Sequence, residues 1–281
     1  MPIIRCSDII AAEGGYMSTS IFNVEIRLNI QKEFKKMVEV LHKEKSSTVT
    51  WDGYYFSFIE ALNYHTFKYW PYRGTAINCE EYLENIGITQ FELQFVMDIN
   101  EELFLYYIEF IYNLCEYASY SNDIVIKSEN VKAVISNIDL IVEKLNYQFV
   151  QDGDKFFLTK RSASVDSVIE KVDENIALLL LEYNDFKVRD NMKRKNEILK
   201  SIDKYIEKNQ SEYSKTDKDS YSSFGYILNN FGINHKLNKK YLNISDDELL
   251  KWYDKAFDLA IHLIRFVDIK KINEERKALE K

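Results

Sequence analysis

Glycine and proline are scarce in this chain: 8 and 2 among 281 residues. A fold built on many tight turns needs both in quantity, so the scarcity predicts long helices joined by few loops. It also counts against phosphate-cradling loops, since neither Gly-x-Gly-x-x-Gly nor Gly-Lys-Ser/Thr occurs. Cysteine is equally sparse. Cys6, Cys79 and Cys115 are far apart and lack the spacing of a metal site, which reads as reduced thiols in a cytoplasmic protein. No stretch approaches the ~20 apolar residues of a membrane span, and the densest run, Ile176 to Leu181, reads as core helix. The N-terminus carries Asp8 and Glu13 and lacks a basic-then-apolar pattern, so no signal peptide is expected. Met17, followed by Ser-Thr-Ser, offers an alternative start, with residues 1–16 as a loosely held extension.

Positive charge is missing from one end. The net charge is −8, yet residues 1–120 hold 9 basic against 17 acidic side chains, while residues 121–281 balance at 28 and 28. The acidic N-terminal part disfavours non-specific nucleic-acid binding there and leaves room for a basic patch further on.

Hydrophobic residues make up 46% of the chain, enough for a large core. Their spacing is mostly helical. Residues 24–45 repeat apolar side chains every three or four positions (Val24, Leu28, Phe34, Val38, Leu41), and Ser46-Ser47-Thr48 ends the pattern. The aromatic-dense stretch from Tyr54 to Trp70 reads as a buried helix closed by Pro71, because a residue before proline is pushed out of helical geometry. Asn78 with Glu81, Thr89 with Glu92, and Ser245 with Glu248 are capping-box pairs that mark helix starts. The helix from Thr89 is expected to run to about 119, with a break near Asp98-Ile99-Asn100. Ile124-Val125-Ile126 resembles a short strand, and Val131 to Leu145 a helix. The runs Tyr147–Val150 and Lys155–Thr159 flank Gln151-Asp152-Gly153-Asp154, a hairpin signal. Four further helices are expected at about 165–186, 190–208, 213–231 and 245–268. The predicted fold is mainly α: an N-terminal extension (1–20), an acidic, aromatic-rich helical lobe (21–122), a small α/β insert with the hairpin (123–162) and a C-terminal four-helix bundle (163–281).

Among the residues with chemical potential, one stretch stands apart. In Ser223 to Lys236 an apolar helical run ends in the amides Asn229 and Asn230, and Gly232 turns the chain toward His235. Together with Tyr205-Ile206-Glu207, Phe231 and the run Glu248 to Asp254, this text resembles the C-terminal part of bacterial abortive-infection-like proteins and, more distantly, the HEPN superfamily of helical ribonucleases. The resemblance spans roughly residues 123–268. It implies a phage-defence or toxin-type protein whose bundle pairs an arginine, usually followed by a polar residue, with a histidine four to six positions later, often in a composite dimer site. The histidine would then move a proton at the 2′-hydroxyl or the leaving oxygen while the guanidinium stabilises phosphate charge. Here Asn229 stands at the arginine position, Asn230 at the polar position and His235 at the histidine position. Asn234 also replaces an arginine of the relatives, and an amide brings no charge.

Two readings follow. One is a non-catalytic sensor or partner-binding protein with a degenerate site. The other is a metal-independent endoribonuclease using His235, Asn229 and Asn230, with RNA phosphates held by Lys236, Lys239, Lys240, Arg189, Lys193 and Arg194. No cofactor or metal is expected in either. RNA, a protein partner or a second copy through the C-terminal bundle are the expected partners, and a membrane is not. A secondary set, Asp254, Asp258, His262 and Arg265, shares one helix face, where Asp258 could orient His262, the two carboxylates and the imidazole could hold a metal, or the face could simply be solvated. The loop Trp70 to Thr75 could stack a base or a peptide through its aromatics and Arg73, or just anchor its turn, while His42 and His65 read as structural.

Overall fold

The computed structural model describes residues 28–44, 50–51, 54–95, 99–120, 128–235, 237–238, 241 and 243–279. The protein is mainly helical with small antiparallel hairpins, as the spacing predicts. Contacts divide it into two units, the first ending at Leu158 and the second beginning at Thr159. No helix among the described residues is long and apolar enough to cross a membrane.

In the first unit, helix α1 (Ile30–Val38) starts where the side chain of Asn29 accepts from the Lys32 amide at 3.0 Å. It passes into a π-helical turn, Glu39–Lys43. The predicted helix over 54–70 is shorter than expected. Tyr54–Tyr55 is strand β2, paired with β1 (Thr50–Trp51), and helix α2 occupies only Phe58–His65. Its start is a full capping box: Ser57 accepts from the Glu60 amide, and Glu60 accepts from the Ser57 amide at 2.7 Å. A 3-10 turn, Phe67–Tyr69, then leads to Trp70, which is extended (ψ 119) before Pro71.

Helices α3 (Cys79–Asn85) and α4 (Gln90–Phe95) begin at the predicted caps, and Glu92 closes the second one by accepting from the Thr89 amide at 2.6 Å. At the first, Glu81 accepts instead from the Ile77 amide. Helix α5 (Glu101–Tyr120) is the spine of this unit, buried on almost every side from Phe104 to Cys115. Phe67, Trp70, Tyr82 and Phe110 form one aromatic cluster on it. Helix α6 (Ser128–Lys144) packs along α5, and strands β3 (Tyr147–Asp152) and β4 (Lys155–Lys160) form the hairpin, with Gly153 at φ 61 in the turn. Asn113 acts as a surrogate strand edge. Its amide donates to the Phe156 carbonyl and accepts from the Phe156 amide, both at 2.8 Å. The strand expected at 124–126 lies outside the described residues.

The second unit is a helical bundle. The first expected helix, 165–186, is broken into a single turn, α7 (Ala163–Asp166), a 3-10 turn (Ile169–Lys171) and α8 (Glu174–Glu182). The break falls where Val172 is extended and Asp173 caps the next helix by accepting from the Ile176 amide. Helix α9 (Met192–Lys208) presents Ile198, Leu199, Ile202 and Ile206 to the core. The segment expected as one helix over 213–231 is two, α10 (Gln210–Thr216) and α11 (Lys218–Asn230), because Asp217 is extended and caps Ser220. Helix α12 runs from Asp246 to Leu279, past the expected end at 268, and packs against α9, α10 and α11.

Candidate functional site

The loop after α11 is built like a clamp. Phe231 ends the helix and lies between the rings of Tyr241 and Trp252, with centroids 4.6 and 4.5 Å away. Gly232 follows at φ 81, a conformation that any side chain would strain, and Ile233 returns to the core. Helix α9 holds this turn from the other side. Asn196 donates to the Gly232 carbonyl at 2.9 Å and reaches the Tyr253 hydroxyl at 3.2 Å, while Asn234 donates to Asp203 at 2.7 Å. Asp203 is buried, and burial raises its carboxyl above the usual range, partly offset by the Asn234 bond.

Among the described residues, the predicted triplet does not converge on a cation. Asn230 is used by the loop itself, donating to the Tyr226 carbonyl and accepting from Asn238, both at 2.8 Å. Asn229 and His235 are exposed, and neither side chain is hydrogen-bonded or ion-paired to another described residue. Lys236, Lys239 and Lys240 lie outside the described residues. Of the cations on and before α9, Arg194 grips Glu182 with two bonds (2.6 and 2.7 Å) and Glu197 with a third, and Arg189 meets Asp190 at 3.4 Å. Lys193 is exposed. The groups of α9 bonded to the histidine's loop are therefore an amide and a carboxylate.

The four residues of the α12 face are all exposed but do not act together. His262 pairs across to Asp217 at 2.9 Å rather than to Asp258. The Ser220 amide and then His262 hold the Asp217 carboxyl down to about 2. Asp258 is pushed upward by burial and by neighbouring Asp254. Arg265 forms no hydrogen bond or ion pair with another described residue. Among the described residues no group of three acidic, histidine or cysteine side chains could hold a metal.

No family model, curated protein or solved structure matches this chain. The site must therefore be judged on its own geometry.

Asp254 belongs to a cluster that sequence reasoning did not assemble. Lys195 is 4% exposed, its Nζ sits 2.6 Å from Asp254 Oδ1, and Tyr183 donates to the same oxygen at 3.0 Å. Tyr183 lies flat on Phe257 at 3.9 Å, and Lys195 stands 5.0 Å over the Tyr183 ring. The signal was available: Lys195 falls in register with Ile198, Ile202 and Ile206, where a lysine interrupts the apolar stripe. In the first unit, Arg73 of the Trp70–Thr75 loop donates to the Ala76 carbonyl at 2.7 Å and so braces its own turn. His42, half-buried, is bonded to the buried Tyr107 at 2.9 Å.

Proposed function

We propose that this protein is a non-catalytic, partner-binding member of the abortive-infection-like helical class, acting in the cytoplasm with the remnant of an RNA-cleaving site. The observation that carries the reading is the wiring around His235. Cleaving a phosphodiester without a metal needs a cation at the phosphate as well as a proton carrier. Helix α9 offers Asn196 and Asp203 to that loop, while Arg194 is bound on three sides by Glu182 and Glu197. A carboxylate beside the histidine loop repels phosphate rather than holding it. The buried, unpaired thiols of Cys79 and Cys115 fit a reducing compartment.

The test is RNA cleavage in a metal chelator by the wild type and by His235→Ala, alongside co-purification from the native host. Neither protein should cleave above buffer, and a partner should co-purify. Cleavage by the wild type that is lost in His235→Ala would overturn this reading in favour of an endoribonuclease built on His235, Asn229 and Asn230. Equal cleavage by both would also defeat it and would move the chemistry elsewhere in the chain.

A further inference from the structure

We propose that the groove between α1 and α6 is a binding site for a medium-chain carboxylate, an apolar tail of roughly eight carbons with one anionic head. The groove lies wholly within the first unit, so the site stands or falls separately from the reading of the His235 loop.

Two helical rows build it. Glu33, Met37, Val40 and Leu41 recur at helical spacing on α1 and the π-helical turn that follows, and Val134, Ile138, Ile141 and Lys144 do the same on α6. The π-helical turn is closed by the Glu44 amide, which donates to the Glu39 carbonyl five residues back at 3.0 Å. Such turns are rare in proteins and recur at functional sites. This one places both Val40 and Leu41 on the groove.

The cavity measures about 230 Å³ and its lining is mostly apolar. Its floor is core, since Leu41, Ile138 and Ile141 are all buried. Its upper walls are not. Val40 and Leu140 are 38% and 44% exposed, and Leu28, Met37 and Val134 are half-buried. Water finds few hydrogen-bond partners on such walls, so an apolar tail displaces it favourably. An engineered apolar cavity of ~150 Å³ takes up benzene, and on that scale this groove holds roughly nine or ten heavy atoms, the size of octanoate.

The polar groups on the walls select the head. Glu33 and Lys36 answer each other at 3.0 Å. Lys144 is exposed in the last turn of α6, and Asn137 is half-buried about two turns before it. Neither side chain is hydrogen-bonded or ion-paired to another described residue. Among the described residues lining the groove, the unspent charge is therefore positive, in a unit whose residues 1–158 carry 23 acidic against 13 basic side chains. A lysine stem can lie along an apolar wall while its ammonium meets a carboxylate at the edge, and the Asn137 amide adds a donor. Apolar walls with a few polar groups to fix orientation are the usual make-up of a small-ligand site.

The experiment is calorimetric titration of the full chain with sodium octanoate, sodium butanoate and 1-octanol. Octanoate should bind at a single site, and butanoate at least about 20-fold more weakly, because its shorter tail leaves the groove unfilled. Lys144→Met should weaken octanoate about 3- to 5-fold and leave 1-octanol within about 1.5-fold of wild type. Lys132→Met removes the same charge from α6 outside the groove and should change neither. Val134→Trp, which fills the cavity, should abolish binding of octanoate and 1-octanol alike. No saturable binding of octanoate by the wild type overturns the proposal, whether the groove is closed or already filled by the chain itself. Equal losses in the two lysine variants, or octanoate binding that survives Val134→Trp, also overturn it. If Val134→Trp fails to fold, the lysine variants decide, since both lysines are exposed.

Discussion

Removing Asp254 and removing Lys195 should have very different consequences, although the two side chains form one ion pair. Lys195 is 4% exposed and its ammonium depends on Asp254 Oδ1 at 2.6 Å, whereas the Asp254 side chain keeps 51% of its surface in water. Asp254→Ala therefore strands a buried ammonium and also takes the acceptor from the Tyr183 hydroxyl. Breaking a fully buried pair from one side costs about 3–5 kcal/mol, and the half-exposed partner lowers the expected loss to about 2–3 kcal/mol. Lys195→Met removes the cation, fills the same space and places a thioether near the Tyr183 ring, leaving a carboxylate that water can solvate. Its cost should stay within about 1 kcal/mol. Urea unfolding of both single variants and of the double variant measures this, provided the slope with denaturant is unchanged. The double variant should resemble Lys195→Met, because nothing is stranded once both charges are gone. Equal losses in the two single variants, or a larger loss in Lys195→Met, would refute the assignment of the cost to the stranded ammonium.

Acid should destabilise the first unit through His42. Burial and Lys43 lower its imidazole to about 4, so between about 6.5 and 4 the unfolded chain takes the proton first and stability is lost as pH falls, by up to ~3 kcal/mol. His42→Gln, compared with wild type across that window by chemical unfolding, should lose this component of the slope. Asp203 has the opposite sign. Its folded carboxyl is raised by burial, so its cost is present at neutral pH and relieved as pH falls through the folded value, and any advantage of Asp203→Asn should shrink in acid. Gly232→Ala should cost about 1 kcal/mol through its φ of 81 alone, since the nearest atoms stand 3.8 Å away, and a melting curve would show it. Asn78→Ala should lose about 1 kcal/mol with the bond from the Glu81 amide, which is 2.7 Å long.

The parts of the fold legible in the sequence were those decided within four residues. The boxes at Thr89–Glu92 and Ser245–Glu248 are present because a cap is a local bargain between a side chain and the next turn. The hairpin at Gly153 follows from one residue's freedom at positive φ. The misjudged parts were those where local pattern was mute. Tyr54–Tyr55 pairs as a strand inside an aromatic run that carries no period of its own, and the box at Ser57–Glu60 was hidden in the same run. The 165–186 stretch breaks at Val172–Asp173 without a glycine or proline to announce it, and α12 continues to Leu279 with no glycine or proline after Val267 to stop it.

The candidate site divides along the same line. That Asn229, Asn230 and His235 end a helix was readable, but which side chains reach that end depends on α9, whose contacts are long-range. The sequence leads one to expect Arg189, Lys193 and Arg194, on and before α9, to hold phosphates beside the loop. The fold sends those charges elsewhere: Lys195 into the core with Asp254, Arg194 onto Glu182, and Asp203 toward the loop. A helix with a basic composition can thus present an acidic contact, because one face in 3.6 residues decides what a neighbour meets. For the loop that carries His235, the functional question is set less by which charges α9 carries than by which face the packing turns toward that loop.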